Sequence, residues 1–462
     1  MGGITKARLE AWMEEWNARI TGITDRSGEA GGSICSFIEE PEAKIQEIEQ
    51  RLALQLPDDL KALIRYGAVH ARFDWQFPSA TLSPFANASE GDLGWNLAEM
   101  EFPVFFDEDG EEREQRRYLS FHEAGNGDLL LFDLEGPSAS SVVSWSHEED
   151  EFRLLAPSLP EFFDRITQLG LIGAYGDSYE PFIGEGGLEP EGRNGRLWQA
   201  WLKDYAELNW ETAKKDLKTL LRLIEMIGAE GADRREIGTL LLESYSIDDI
   251  LREWTARGEE EQPVWNRRER LLLIGDVLGP AAADWTRSLW ERHGRDDSSD
   301  SSVSPPPGLD AGVLHDLAAV CLPEEEGLPL VLRDIEARAA AEGRRVSPPT
   351  HSLAPFRSRR VIPWMEPHVA FPFGGWDELL AASRPEAEDL IRWLRGADAQ
   401  RMAAVSAIGR LAEGELPAML AGRNGEAERA ELLRLLEELR ANAVLRKEKA
   451  AISEAIAAIR EA

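Results

Sequence analysis

The chain has 462 residues and carries 51 Lys and Arg against 85 Asp and Glu, a formal net charge of −34. At roughly 100–200 residues per domain, that length allows two to four domains. A field of this sign repels nucleic acid and anionic lipid and favours basic partners, although the same acidity also serves plain solubility. With 43% hydrophobic residues, 15 Trp and 16 Phe, wholesale disorder is excluded.

Cys35 and Cys321 stand far apart and give neither a disulfide framework nor metal-ligand spacing, which fits a reducing cytoplasm. No apolar h-region or uninterrupted apolar run of about 18 residues occurs, so neither secretion nor membrane insertion is expected. HExxH and HxH spacings are absent, as are GxxxxGK[ST], GxGxxG and GxSxG. Neither metal, cofactor nor catalytic residue is therefore expected.

The first element is an amphipathic helix over residues 4–20, with Ile4, Leu9, Trp12, Met13, Trp16 and Ile20 on one stripe. Its acidic polar face favours packing on the body of the protein over a membrane surface. Residues 21–33 are Gly-rich and polar and read as a linker. A second helix over residues 42–53 presents Ile45, Ile48 and Leu52. Pro57 opens a third helix, with Leu60, Leu63 and Ile64 inward and Gly67 as its stop.

Period-two alternation follows: Phe73, Trp75 and Phe77 against Arg72, Asp74 and Gln76 predict a strand with one buried face. Residues 83–96 read as a long loop carrying Trp95, and residues 102–106 as a strand running into an Asp-Glu-Asp-Gly turn. Strands over 118–122 and 129–134 flank Gly125, Asn126 and Gly127, residues that tolerate positive φ. Strands over 142–147 and 152–155 form a second hairpin. Ser158 and Glu161 have capping-box spacing ahead of a helix whose apolar face is Leu159, Phe162, Phe163, Ile166 and Leu169. Leu131, Trp145 and Phe162 are expected in the sheet–helix core.

The fold class is therefore α+β, a mainly antiparallel sheet with flanking helices, followed by a mostly α-helical C-terminal half. The Gly- and Pro-rich stretch 173–195 and the Ser- and Pro-rich stretch 296–307 mark boundaries. They give four regions: 1–33, 34–172, 196–293 and 309–462. Residues 402–411 resemble one helix of a HEAT-type repeat and residues 452–459 echo it, a weak sign of a solenoid.

Four segments in this order resemble the SUKH superfamily over about residues 37–170. They are the helix from Ile45 through Glu49 to the Leu56-Pro57 pair, the helix ending at Gly67, the hairpin with Gly125, Asn126, Gly127 and Asp128, and the last strands leading into the Ser158 helix. The Tyr66-Gly67 ending and the acidic insertion over 107–114 depart from the family pattern. The resemblance implies a non-catalytic binding role, as in bacterial toxin immunity proteins and interaction scaffolds. Within it, Glu49, Pro57, Gly67, Gly127 and Asp128 are the family-like structural positions.

Candidate partner-binding residues are Asp107, Glu108, Asp109, Glu111 and Glu112 at one turn and Glu148, Glu149 and Asp150 at another. The first run lacks EF-hand spacing. Each is read either as a solvated turn or as a docking patch for a basic protein such as a cognate toxin. Glu49 and Asp128 read mainly as local hydrogen-bond acceptors. His122 and His147, expected on neighbouring strands, read as satisfied strand histidines. Three functions stand: toxin neutralisation by direct binding, a regulatory scaffold with a helical platform, and an enzyme with a site the sequence does not display.

Overall fold

A computed structural model describes residues 3–66, 68–79, 81–85, 88–106, 112–136, 140–173, 176–228, 232–260, 264–293, 308–370, 374–411, 414–421 and 424–462. The chain divides into two compact units, one of Met1–Asp233 with Asp248–Arg270, the other of Arg234–Ile247 with Leu271–Ala462.

Unit one opens with helix α1 (Lys6–Ser27), capped by Thr5, whose side chain accepts from the Arg8 N–H, and ended by Gly28 at φ 70°. Residues 21–27 are thus helix rather than linker, because Ile23 extends the stripe of Leu9, Trp12, Trp16 and Ile20 by another turn. Strand β1 (Gly32–Ser36) follows directly. Helices α2 (Pro41–Leu52) and α3 (Asp58–Tyr66) bury the expected Ile45, Ile48, Leu52, Leu60, Leu63 and Ile64. Pro57 sits one residue before α3 and accepts its first backbone bond, from Lys61. The expected stop at Gly67 lies outside the described residues.

Strands β2 (His70–Gln76) and β3 (Glu90–Asn96) complete an antiparallel sheet of order β1-β2-β3. Residues 90–96 are therefore strand, not loop. Gly, Asp and Asn are poor strand formers, yet Gly91 is demanded by packing: a Cβ there would lie 2.3 Å from both the Trp75 indole nitrogen and the Leu171 carbonyl. Strands β4 (Val104–Phe106) and β5 (Glu112–Glu114) form a hairpin. Strands β6 (Tyr118–Glu123), β7 (Leu129–Asp133), β8 (Ser141–Ser146) and β9 (Glu151–Ala156) form an antiparallel meander in that order. The β6–β7 turn carries Gly127 at φ 94°, as its Gly-Asn-Gly sequence predicts.

Helix α4 (Leu159–Gln168) closes this part, with Ser158 accepting from the Glu161 N–H. The Glu161 carboxylate turns to Arg165, so only one arm of the capping box forms. Leu131 and Phe162 are fully buried as expected. Trp145 is only half-buried, because its indole N–H reaches out to Asp150 and its ring packs on Phe105 at 4.5 Å. The Gly- and Pro-rich segment 173–195 is built into this core through Tyr179, Phe182 and Leu188.

From Arg193 onward the described residues are predominantly helical. Within unit one, Glu225 and Arg270 form a buried ion pair: Glu225 Oε1 accepts from Arg270 Nε at 2.7 Å and from Trp254 Nε1 at 2.8 Å. In unit two, helices Asp398–Leu411 and Arg446–Glu461 place Ala403, Ala404, Val405, Ile408, Ile452 and Ile456 in one aliphatic core. The boundary expected over 296–307 lies outside the described residues.

Candidate partner-binding surfaces

The β8–β9 turn carries Glu148, Glu149 and Asp150, all exposed. Beside it lies a cleft of about 410 Å³ lined by the carboxylates of Asp128, Glu148, Glu149, Glu151, Asp177 and Glu180, with Arg153 as the one guanidinium among the described residues. Arg153 pairs with Glu149 and Glu151, both at 2.7 Å. Burial, and then the neighbouring Asp128 carboxylate, push the Asp177 carboxyl above its ordinary range. So many carboxylates around one cation leave a net negative cleft, which attracts cationic groups. Of the other acidic run, Asp107, Glu108, Asp109 and Glu111 lie outside the described residues, and Glu112 is placed only by its backbone, at the start of β5.

Asp128 is buried and binds the next hairpin. Its Oδ1 accepts from the His147 backbone N–H at 3.0 Å and lies 2.9 Å from the His147 ring nitrogen Nδ1. Asn126 donates to the other oxygen at 2.9 Å. Glu49 is likewise a local clamp. Its carboxylate takes the Lys61 ammonium at 2.8 Å and the Leu56 N–H at 2.9 Å, joining α2 to α3 and to the segment between them. The Lys61 bond above all holds its carboxyl below the usual range.

His122 and His147 are not on neighbouring strands: β7 separates β6 from β8, so the strand order sets them apart. His122 instead lies in a groove of about 840 Å³. This groove spans β2, β3 and β6 and is lined among others by Arg72, Asp92, Gly94, Glu101, His122 and Glu123. Asp92 Oδ1 and His122 Nε2 are shielded from water there without a hydrogen-bond partner among the described residues. Sequence reading missed the groove because its residues come from three strands, helix α2 and the connecting loops, and no one segment displays the pattern.

Unit two contains a Ser–His–Asp chain that sequence spacing also hides. His315 Nδ1 lies 2.8 Å from Ser352 Oγ, and its Nε2 lies 2.9 Å from Asp334 Oδ2. A nucleophile of this kind needs donors for the developing oxyanion. The N–H groups of Ser352 and Leu353 both donate to the Pro349 carbonyl, at 3.1 and 3.0 Å. With these donors engaged and His315 buried, the trio acts as a clasp joining helices Ala311–Cys321, Glu324–Ala341 and Thr350–Leu353. Among the described residues, no group of three or more His, Cys, Asp or Glu is placed to hold a metal ion. No described helix is long and apolar enough to cross a membrane.

Helices packed beside an antiparallel meander define an α+β domain with polar clefts on its surface. Residues 40–165 match the SMI1 / KNR4 family (SUKH-1), which places a SUKH domain in this part of the chain. No curated protein and no solved structure matches the chain. The match supports a protein-interaction domain rather than a catalytic one.

Proposed function

We propose that the protein is a non-catalytic, cytoplasmic binding protein that neutralises a bacterial toxin, a nuclease being one such class, by direct contact with its basic surface. The observation that carries this reading is the carboxylate cleft beside Glu148, Glu149 and Asp150. Exposed charge of one sign raises the encounter rate with a cationic partner more than it lowers the dissociation rate. The run Asp107, Glu108, Asp109, Glu111 and Glu112 is proposed as a second docking segment. Neither a cofactor nor a nucleic acid enters the function.

The partner is to be captured by a low-salt pull-down and identified by mass spectrometry; a toxin gene beside this one supports immunity. With that partner, replacing Glu148→Gln, Glu149→Gln and Asp150→Asn together should slow association about ten-fold at low ionic strength, with a smaller change in dissociation. Salt should slow the unaltered protein similarly, since charges are screened over about 8 Å at physiological strength. Association insensitive to both treatments would sink the reading. A second reading, a regulatory scaffold, draws on the packed helices over 376–461; capture of several unrelated host proteins and no toxin would favour it.

A further inference from the structure

Helix α1 and the helix Arg193–Glu207 of unit one leave a cleft of about 280 Å³ between them, lined among others by Glu15, Arg19, Gly22, Ile23, Leu202 and Tyr205. Its floor is apolar, with Ile23 and Leu202 buried there. Gly22 stands inside α1, where a glycine weakens the helix. A Cβ at this position would meet no atom within 4 Å. Packing therefore does not demand the glycine; its missing side chain keeps this wall of the cleft open.

Donors without acceptors stand at this cleft. Tyr205 is only 2% exposed, yet its hydroxyl has no hydrogen-bond partner among the described residues. Burial, against the pull of the nearby Arg26 charge, pushes the phenol up to about 12, so the hydroxyl keeps its proton to donate. The Arg26 guanidinium lies over the Tyr205 ring, 4.9 Å from its centroid. Arg26 Nε is shielded from water without a partner among the described residues. Arg19, two turns earlier on α1, is half-buried as Arg26 is, and neither forms an ion pair among the described residues. Glu15 is the lining's one carboxylate among the described residues; it is exposed and forms no ion pair with Arg19. In a chain of net charge −34, this leaves positive charge and a buried hydroxyl beside an apolar slot with no acceptor in place.

We propose that the cleft binds a small organic acid, one carboxylate on an apolar body such as a straight-chain alkanoate, with Arg19 and the Tyr205 hydroxyl holding the carboxylate and Ile23 and Leu202 the body. A carboxylate accepts from a guanidinium and a hydroxyl at once. Its single charge is repelled less by Glu15 than a phosphate would be. Arg26 adds its charge beside the phenol. The cavity lies at the small end of ligand sites, which span roughly 300–1,000 Å³. The backbone N–H groups of both walls are used within their helices, so nothing there reads a peptide main chain, and the ligand is a free acid rather than the end of a partner protein. Both walls lie outside residues 40–165, so the site is separate from the SUKH match and independent of toxin binding.

The test is isothermal titration calorimetry of the full chain with sodium octanoate and, separately, with 1-octanol. Octanoate should bind saturably at one site per chain. The alcohol should bind at least about ten-fold more weakly, because its uncharged head leaves the guanidinium without a counter-charge. Gly22→Leu should abolish binding by filling the cleft; its Cβ enters open space and leucine is the better helix former, so the fold is kept. Tyr205→Phe keeps the ring and removes only the hydroxyl, and should weaken octanoate about three- to ten-fold. Arg19→Gln should weaken it about ten-fold. Heat that does not saturate, 1-octanol binding as tightly as octanoate, or an affinity unchanged by Gly22→Leu would overturn the proposal. Acetyl-Gly-Leu with a free carboxylate binding as tightly as octanoate would overturn the assignment to a free acid.

Discussion

The cores of the two units solve the same burial problem with different side chains. In unit one, Trp16 packs edge-on against Phe73 at 5.0 Å and Phe163 at 5.3 Å. Its indole also donates to Thr167 at 2.7 Å. Trp75, Trp95 and Trp198 donate to the carbonyls of Gly170, Ala68 and Leu169, at 2.9, 2.9 and 2.8 Å. In unit two the core is mostly Leu, Ile and Ala. There Trp393 is buried and its indole nitrogen meets no acceptor among the described residues. The contrast shows two kinds of specification. Directional bonds fix where these four indoles of unit one point, whereas unit two relies mainly on volume and helical spacing.

The largest expected effect breaks the ring core. Phe162→Ala should cost about 3–5 kcal/mol, because a fully buried ring leaves a cavity against the sheet. Urea unfolding measures it, and a loss below about 1 kcal/mol would show that Phe162 is not core. A paired substitution sharpens the comparison. Trp16→Phe removes both volume and a satisfied indole, and should cost about 2–3 kcal/mol. Trp393→Phe removes similar volume together with an unsatisfied donor, whose burial carries a penalty of about 1–3 kcal/mol. Its net cost should therefore be smaller, about 1 kcal/mol or less. Equal losses at the two positions would contradict the distinction.

The smallest effect is a pH dependence. Burial, opposed by the Asp92 charge and aided by Arg72 with Glu123 also nearby, holds His122 below its ordinary value of 6.5. The unfolded chain then binds the proton more readily than the folded one, so stability falls as pH drops from about 6.5 toward the folded pKa. His122→Gln should flatten that part of the curve by less than about 1 kcal/mol. A wild-type slope unchanged by the substitution would assign it to other groups.

What was legible in the sequence follows the same division. The alternation of Phe73, Trp75 and Phe77 predicts β2, and the Gly127 turn predicts the β6–β7 hairpin, because both signals are local. Strand β3 was not legible. Its Gly91, Asp92, Gly94 and Asn96 carry loop composition, and the glycines are explained by the indole of Trp75, the Leu171 carbonyl and the ring of His122. The acidic turn at Glu148, Glu149 and Asp150 was visible as a charge run. The groove was not, because Arg72, Asp92 and His122 meet only after β2, β3 and β6 have assembled.

The Glu225–Arg270 pair also imposes an order on synthesis. Glu225 emerges from the ribosome well before Trp254 and Arg270, and the 14 residues Arg234–Ile247 between them are counted with the other unit. A nascent chain that has reached Asp233 therefore holds a carboxylate destined for burial whose guanidinium does not yet exist. Its neighbourhood must stay hydrated until residue 270 appears. A gene cut anywhere between Glu225 and Arg270 would freeze the chain in that condition, so a fragment that includes Glu225 completes this pairing only if it runs to Arg270.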